Sequence, residues 1–294
     1  MYTLKNSKIM KIIIISDIKG ECESVITYGL HLAKSLESEV DIVHIIDPRS
    51  LQGIESTYSD SQTVSPGNKL SNTEIIEREK KYAEIELDKL LSSEASRLNY
   101  PLKIETFIEE GSIEKLISHR IEPANKAILL MNSVPDNFVF SSKKEIIDIV
   151  YRFDALSLLV SPGYKYKELK KVALLSIPKL KKINEIKEKF KFLEHFNPVI
   201  SIVNFVKNKN KVKGEIKNGT LERTLKEEFK PFDVQLNIIY QEKQKPCLNS
   251  FIKKNNPHLI VKVIQTKNIF KKMFHKKRNE FLICYTGIPI LFLK

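Results

Sequence analysis

Asp17 is the first side chain in the sequence whose position suggests chemistry. It closes the apolar run Lys11 to Asp17 (KIIIISD), and Gly20 and a helical pattern follow it. A carboxylate at the end of a buried strand can contact a ribose or a magnesium-bound phosphate, whereas the same residue type also caps helices and forms turns. Both interpretations of Asp17 stay open.

Ser141 and Ser142 stand directly before the helical pattern of Lys143 to Phe153. Their hydroxyls and main-chain amides could hold a phosphate, because the N-terminus of a helix attracts anions. Their simpler role is to cap that helix. They are candidate site residues with a structural alternative.

A dense group of basic residues near the end of the sequence could attract anions by charge alone. Its members are Lys267, Lys271, Lys272, His275, Lys276, Lys277 and Arg278. Arginine is scarce in this half and aromatic residues do not interleave the lysines, which disfavours nucleic acid as the ligand. The group predicts an anion-binding surface as an alternative function.

The sequence lacks the patterns of familiar enzymes and metal sites. Its six histidines show neither HxxxH nor HExxH spacing, and we interpret His44, within a strand pattern, as a core or half-buried residue. There is no GxSxG elbow, Walker loop, GxGxxG or Ser-His-Asp order. We therefore predict no catalysis and no bound metal.

Composition predicts a cytoplasmic protein with two electrically different halves. Cys22, Cys247 and Cys284 form no CxxC pair, there is no secretory signal, and no apolar run reaches membrane-spanning length. Residues 1–164 hold 19 Lys+Arg against 25 Asp+Glu, whereas residues 165–294 hold 30 against 11. Attraction between the halves, within or between chains, would explain this asymmetry.

Apolar runs and helical periodicity alternate along the first half, so it reads as β-α-β-α-β-α-β-α-β. The predicted strands are Lys11 to Asp17, Glu39 to Ile46, Leu102 to Ile108, Ala127 to Met131 and Leu156 to Val160. Helices separate them, the longest over Thr73 to Leu98, and residues 47–72 read as a loop. Such alternation predicts a parallel sheet with helices on both faces.

The second half repeats this order, which indicates an internal duplication. Its predicted strands are Lys171 to Ser176, Val199 to Val206, Val234 to Tyr240, Leu259 to Ile264 and Pro289 to Phe292. Its predicted helices are Asn184 to Phe196, Leu221 to Phe229, Leu248 to Lys254 and Arg278 to Tyr285. We place the two domains at residues 10–163 and 170–294.

At these residues the chain resembles the universal stress protein A family, in tandem form, over almost its whole length. The resemblance rests on KIIIISD before a helix ending in LAKSL, on VDIVHIID at the second strand, and on the closing helix and strand of each half. It implies two tandem five-stranded parallel-sheet sandwiches of Rossmann-like, adenine nucleotide alpha hydrolase-like fold. It also implies a pseudo-dimer formed through Leu156 to Val160 and Pro289 to Phe292.

Nucleotide-binding members of the family carry an aspartate after the first strand and a hydrophobic backbone contact on the second. In this sequence Asp17 and Ile45 match those positions. The resemblance therefore implies that the first half could still bind a nucleotide such as ATP or AMP.

The family signature after the fourth strand, G-x2-G-x9-G-[ST], is degenerate in the first half. Asn132 and Pro135 stand where glycines belong, the loop is about four residues short, and Ser141 replaces the last glycine before Ser142. Glycines let such a loop pass close to phosphates and expose its amides. A standard triphosphate site is therefore not expected.

In the second half the aspartate position falls on Ile177, and every glycine of the signature is replaced. The substitutes are Ile264, Lys267 and Lys277, with Arg278 in place of Ser or Thr. We therefore expect a non-enzymatic stress-response protein that acts by protein association or self-association. The alternatives are nucleotide binding by the first domain alone and anion binding by the basic second domain.

Overall fold

The computed structural model describes residues 10–16, 18, 23–47, 71–99, 101–121, 127–135, 140, 142–175, 182–206, 219–240, 244–264 and 286–294. The chain forms two compact units, Met1–Phe153 (unit 1) and Asp154–Lys294 (unit 2). The predicted domain limits were 10–163 and 170–294. They place the strand Leu156–Val160 in the first domain, whereas it belongs to unit 2, and the domain limits stay a prediction.

Unit 1 is a parallel sheet with strand order β3-β2-β1-β4. Its elements are β1 (Lys11–Ser16), α1 (Glu23–Leu36), β2 (Val40–Ile46), α2 (Asn72–Leu98), β3 (Ile104–Glu110), α3 (Ile113–Ile121), β4 (Ala127–Asn132) and α4 (Lys143–Arg152). Ile12 to Ile15 of β1 and Ala127 to Met131 of β4 are apolar and buried, as expected of strands that are covered on both faces.

Unit 2 has strand order β5-β10-β9-β6-β7-β8. Its elements are β5 (Leu156–Val160), β6 (Lys171–Leu175), α5 (Ile183–Phe190), a 3₁₀ helix (Lys191–Phe196), β7 (Val199–Val206), α6 (Thr220–Glu228), β8 (Asp233–Tyr240), α7 (Gln244–Asn255), β9 (Leu259–Val263) and β10 (Ile290–Leu293). All described strand pairs are parallel except β5 with β10, which pair antiparallel through Leu158 and Leu291.

The predicted α/β class with a mainly parallel sheet is confirmed. Most predicted elements agree with the observed ones to within two residues. The predicted helix Asn184 to Phe196 is α-helical only to Phe190 and then tightens into the 3₁₀ turn, which ends at Asn197 in the left-handed conformation. The predicted helix Arg278 to Tyr285 lies outside the described residues, and the predicted pseudo-dimer stays a prediction.

The long helix α2 begins at a capping box. The Glu74 amide is 3.3 Å from the Ser71 hydroxyl, and the Ser71 amide donates to the Glu74 carboxylate at 2.7 Å. The hydrogen bonds that the Ser71 amide and hydroxyl donate to the Glu74 carboxylate lower the pKa of Glu74. The cap therefore stabilises the fold above the ordinary glutamate pKa, and its contribution is lost as the pH falls through the lowered value.

A network of charges lies within unit 1 around the Asp41 carboxylate, whose side chain is 3% exposed. The Lys11 ammonium is 2.8 Å from Asp41 Oδ2, and the Arg120 guanidinium is 3.7 Å from the same oxygen. Arg120 also pairs with Glu109 and lies over the Phe107 ring at 3.3 Å. Four elements, β1, β2, β3 and α3, are thereby joined by ion pairs.

Gly29 lets α1 pack closely on the sheet, and we predict that Gly29→Val destabilises the protein. A Cβ at this position would lie 2.4 Å from Ile14 Cδ1, inside a fully buried contact. Overpacking of this kind costs about 1–3 kcal/mol. Urea unfolding should show the loss, and Ile14→Val in the same chain should recover part of it because it removes Cδ1. Equal effects with and without Ile14→Val would contradict the proposed clash.

Candidate ligand-binding edge of unit 1

The carboxyl ends of β1, β2 and β4 are the natural place for a ligand in unit 1. The chain leaves β1 toward β2 on one side, and β4 pairs with the other side of β1. In open parallel sheets the connections diverge at such a point and leave a crevice beyond the strand ends. Ser16, His44 and Asn132 lie at this edge because Ser16 pairs with His44 and Ile15 pairs with Met131.

His44 secures the chain just after β1. The Ile18 amide lies 3.4 Å from His44 Nδ1, across 26 residues of sequence, and the imidazole is buried. For this amide to donate, Nδ1 must be the unprotonated nitrogen. The buried position expected for His44 is confirmed, but its contact with the β1–α1 connection was missed because only the strand register brings the two together.

The carbonyl of Ile45 faces the crevice. In parallel pairs a residue turns its amide and carbonyl to the same side, and these sides alternate along the strand. The Ile12 amide bonds to the Glu39 carbonyl on the β1 side, and the Gly111 amide bonds to the Ile46 carbonyl on the β3 side. Ile45 therefore turns toward β1, where the register of Ser16 with His44 places its amide opposite the Ser16 carbonyl and its own carbonyl beyond the end of β1.

Asn132 is the last residue of β4 and is buried. Its Oδ1 accepts a hydrogen bond from the Val134 amide at 3.4 Å, so the side chain stabilises its own loop. A glycine at this position would have no side chain to accept this bond. The Val134 amide is therefore already used by the Asn132 side chain.

Phe140 lies further along the connection from β4 to α4 and has only 1% of its surface exposed. Two residues later, Ser142 is the N-cap of α4, and its hydroxyl accepts the Glu145 amide at 3.3 Å. The capping role suggested by the sequence is therefore present. The loop is held by apolar burial at Phe140 and by a helix cap at Ser142.

We predict that Ser142→Ala lowers the free energy of unfolding by about 1 kcal/mol, because the Glu145 amide then loses its side-chain acceptor. Ser142→Asp should retain the cap and most of the stability, since aspartate caps equally well. Chemical denaturation of the three proteins tests this. A loss of stability in both variants would show that the hydroxyl is needed for something other than capping.

Several predicted site residues lie outside the described residues: Asp17, Ser141, Lys267, Lys271, Lys272, Lys276, Lys277 and Arg278. Their predicted roles stay predictions, as do those of Ile45, Asn132 and Ser142. Within the described residues, no group of three or more His, Cys, Asp or Glu side chains could hold a metal ion.

The corresponding edge of unit 2 carries a lysine in β9. The same pairing pattern places Lys262 of β9 where β4 of unit 1 has Met131. The Lys262 ammonium reaches the carbonyl of Leu175, the last residue of β6, at 3.3 Å. This lysine was not singled out from the sequence, because its position beside β6 depends on the register of β9.

Comparison with known proteins gives a structural result only. No family model and no curated protein sequence matches this chain. A universal stress protein from Archaeoglobus fulgidus matches with a TM-score of 0.63 and 12% identity, over 97% of this chain and 96% of that one. A putative universal stress protein from Pseudomonas aeruginosa matches with a TM-score of 0.56 and 12% identity, over 98% and 94%.

A protein of unknown function, also from Pseudomonas aeruginosa, has a TM-score of 0.56 at 12% identity over 98% of this chain and 93% of its own. In the described part of the chain, no helix combines the length and apolar character needed to cross a membrane. The matches to the first two structures span both units and confirm the resemblance at the level of fold. The chain has the universal stress protein fold.

Proposed function

We propose that this chain is a non-enzymatic, cytoplasmic stress-response protein that acts by associating with another protein, and that both units have lost the standard ATP site. The observation that carries the proposal is the loop after β4. Asn132 stands at a glycine position of the signature, and its side chain bonds within its own loop. Phe140, directly before the last glycine position, is buried. In unit 2 the residue after β9 is Ile264, which is buried.

The opposite net charges of the two halves support association with another protein, rather than binding of a nucleotide, as the function. A strongly basic surface steers an acidic partner and selects against basic ones. Native mass spectrometry of the protein purified from its own cytosol should show a bound protein or a second copy. A bare monomer under gentle conditions would contradict the proposal.

Isothermal titration with ATP tests the loss of the nucleotide sites. We expect no heat of binding beyond dilution up to millimolar ATP. Stoichiometric binding in the micromolar range would overturn the claim that both sites are lost.

A second candidate is nucleotide binding by unit 1, and one specific observation favours it, the orientation of the Ile45 carbonyl toward the crevice. This carbonyl could accept a hydrogen bond from the amino group of an adenine, with Asp17 as a partner for the ribose. AMP should then raise the melting temperature, and Asp17→Ala should abolish that rise. No stabilisation of the unaltered protein by AMP or ATP would end this alternative.

A further inference from the structure

Few of the side chains of α3 are fully buried. All nine residues of this helix are described, and Ile117 is the one among them that is fully buried. Ile113, Leu116 and Ile121 are half-buried. In proteins the packing of an apolar face supplies most of the stability of a helix. Apolar packing therefore holds α3 less firmly than it holds a helix with several buried side chains.

The Asp41 network consists of Lys11, Asp41, Glu109 and Arg120, and it gives α3 a second kind of attachment. Arg120 stands one residue before the end of α3, and its side chain is 18% exposed. Its guanidinium is 3.7 Å from Asp41 Oδ2 of β2 and pairs with Glu109 of β3. It also lies over the Phe107 ring of β3. A single side chain thereby ties the last turn of α3 to two neighbouring strands.

Among the described ion pairs of α3, the one that does not involve Arg120 is much more exposed. Glu114, in the first turn of α3, pairs with Arg152 of α4 at 3.1 Å, and these side chains are 40% and 55% exposed. Exposed pairs of this kind contribute little, because water and salt screen them. The attachment of α3 by charge therefore depends chiefly on Arg120.

Unit 2 repeats the strand register of unit 1 but lacks the partners of Arg120. The strands β1 and β6 both begin at a lysine, and the pairing of the next two strands continues in step from there. The residues at the positions of Asp41, Phe107 and Glu109 are Ser201, Asn237 and Ile239. None of these three offers a carboxylate or an aromatic face to an arginine.

The helix α7, which precedes β9 as α3 precedes β4, is held in a different way. Its sequence contains no arginine, and it buries the side chains of Cys247, Leu248 and Phe251. Unit 2 thus fixes this helix by apolar packing, whereas unit 1 uses one buried aliphatic side chain and a set of ion pairs. Since unit 2 forms the same sheet order without the ion pairs, the fold itself does not require them.

We propose that the Asp41 network is a strap that holds α3 on β2 and β3, and that α3 opens locally when the strap is cut while the sheet of unit 1 stays folded. The strap sets the mobility of a helix that begins at the carboxyl edge of the sheet, two residues after the Gly111 amide bonds to the Ile46 carbonyl. This inference goes beyond the proposed function and does not depend on which ligand or partner the protein binds.

Hydrogen–deuterium exchange of the full chain, read by mass spectrometry, measures the local opening of each element. In Arg120→Ala the amides of α3 should exchange at least about tenfold faster than in the unaltered protein. The amides of β1 and β4 should be accelerated less than those of α3. The helix α7 of unit 2 serves as an internal reference, because it has no such strap.

A double variant, Asp41→Ser with Arg120→Ala, separates the strap from general stability. It leaves no unpaired carboxylate buried at Asp41, and serine is the residue that unit 2 has at this position. Exchange in β1 and β4 should therefore return to within about threefold of the unaltered protein. Exchange in α3 should stay at least about tenfold faster, because nothing has replaced the Arg120 contacts.

Lys103→Ala is the matched control, because it removes an exposed ion pair of unit 1 and should leave exchange in α3 unchanged. Unchanged exchange of α3 in the double variant would overturn the proposal. Equal acceleration of α3, β1 and β4 would also overturn it, because the network would then stabilise the unit as a whole. If Arg120→Ala does not fold, the double variant alone decides.

Discussion

Arg120→Ala is expected to lower the free energy of unfolding by about 3–5 kcal/mol, the range found when one partner of a buried ion pair is removed. The Asp41 carboxylate, whose side chain is 3% exposed in the unaltered protein, would lose the Arg120 guanidinium and keep Lys11 as its ion-pair partner. The substitution also removes the guanidinium from the Phe107 ring and from Glu109. A lower urea midpoint, followed by circular dichroism, would report the loss.

A matched control is the exposed pair of Lys103 and Glu39, whose side chains are 63% and 41% exposed. Lys103→Ala should cost no more than about 1 kcal/mol, because water screens and solvates the partner left behind. If Arg120→Ala cost as little as Lys103→Ala, the Asp41 network would contribute nothing beyond a surface ion pair.

Phe140→Ala is the second substitution with a large expected effect, a loss of about 3–5 kcal/mol. Phe140 lies between β4 and α4 in a loop where a glycine-rich sequence would bury no side chain, yet its ring is almost fully buried. Removing the ring would leave a cavity and release the loop. Differential scanning fluorimetry and urea unfolding would both detect the change.

Phe140→Leu is the appropriate companion, since it keeps most of the apolar volume and should cost less than about 1.5 kcal/mol. If Phe140→Leu lowered the free energy of unfolding as much as Phe140→Ala, the aromatic ring itself would be needed. A negligible loss in Phe140→Ala would mean that the loop is held elsewhere, and the main support for a lost ATP site in unit 1 would disappear.

The strands and helices that follow local periodicity were predictable from the sequence. Ile12 to Ile15 in β1 and Ala127 to Met131 in β4 are continuous apolar runs because these strands are covered on both faces, so residue type alone indicated them. The Ser142 cap was also predictable, because a cap is a contact between near neighbours in the chain.

Contacts across long stretches of sequence were not predictable in this way. Neither the bond from Ile18 to His44 nor the one from Lys262 to Leu175 has a local pattern, because each depends on which strands pair and in what register. The burial of Phe140 is similar, since a phenylalanine in a loop could equally be exposed. The antiparallel pairing of β5 with β10 was not predictable either. Hydrophobic periodicity indicates which face of a strand is buried, but not which strand it pairs with or in which direction.

That antiparallel pair has a consequence for biosynthesis. Leu158 is paired with Leu291, 133 residues further along the chain. At roughly 5–20 residues per second, translation needs on the order of 7–27 s to supply β10 after β5 has been made. Throughout that interval the side of β5 that β10 will occupy lacks its final partner. A nascent chain whose synthesis pauses within unit 2 would therefore keep that strand edge available to chaperones and to neighbouring nascent chains.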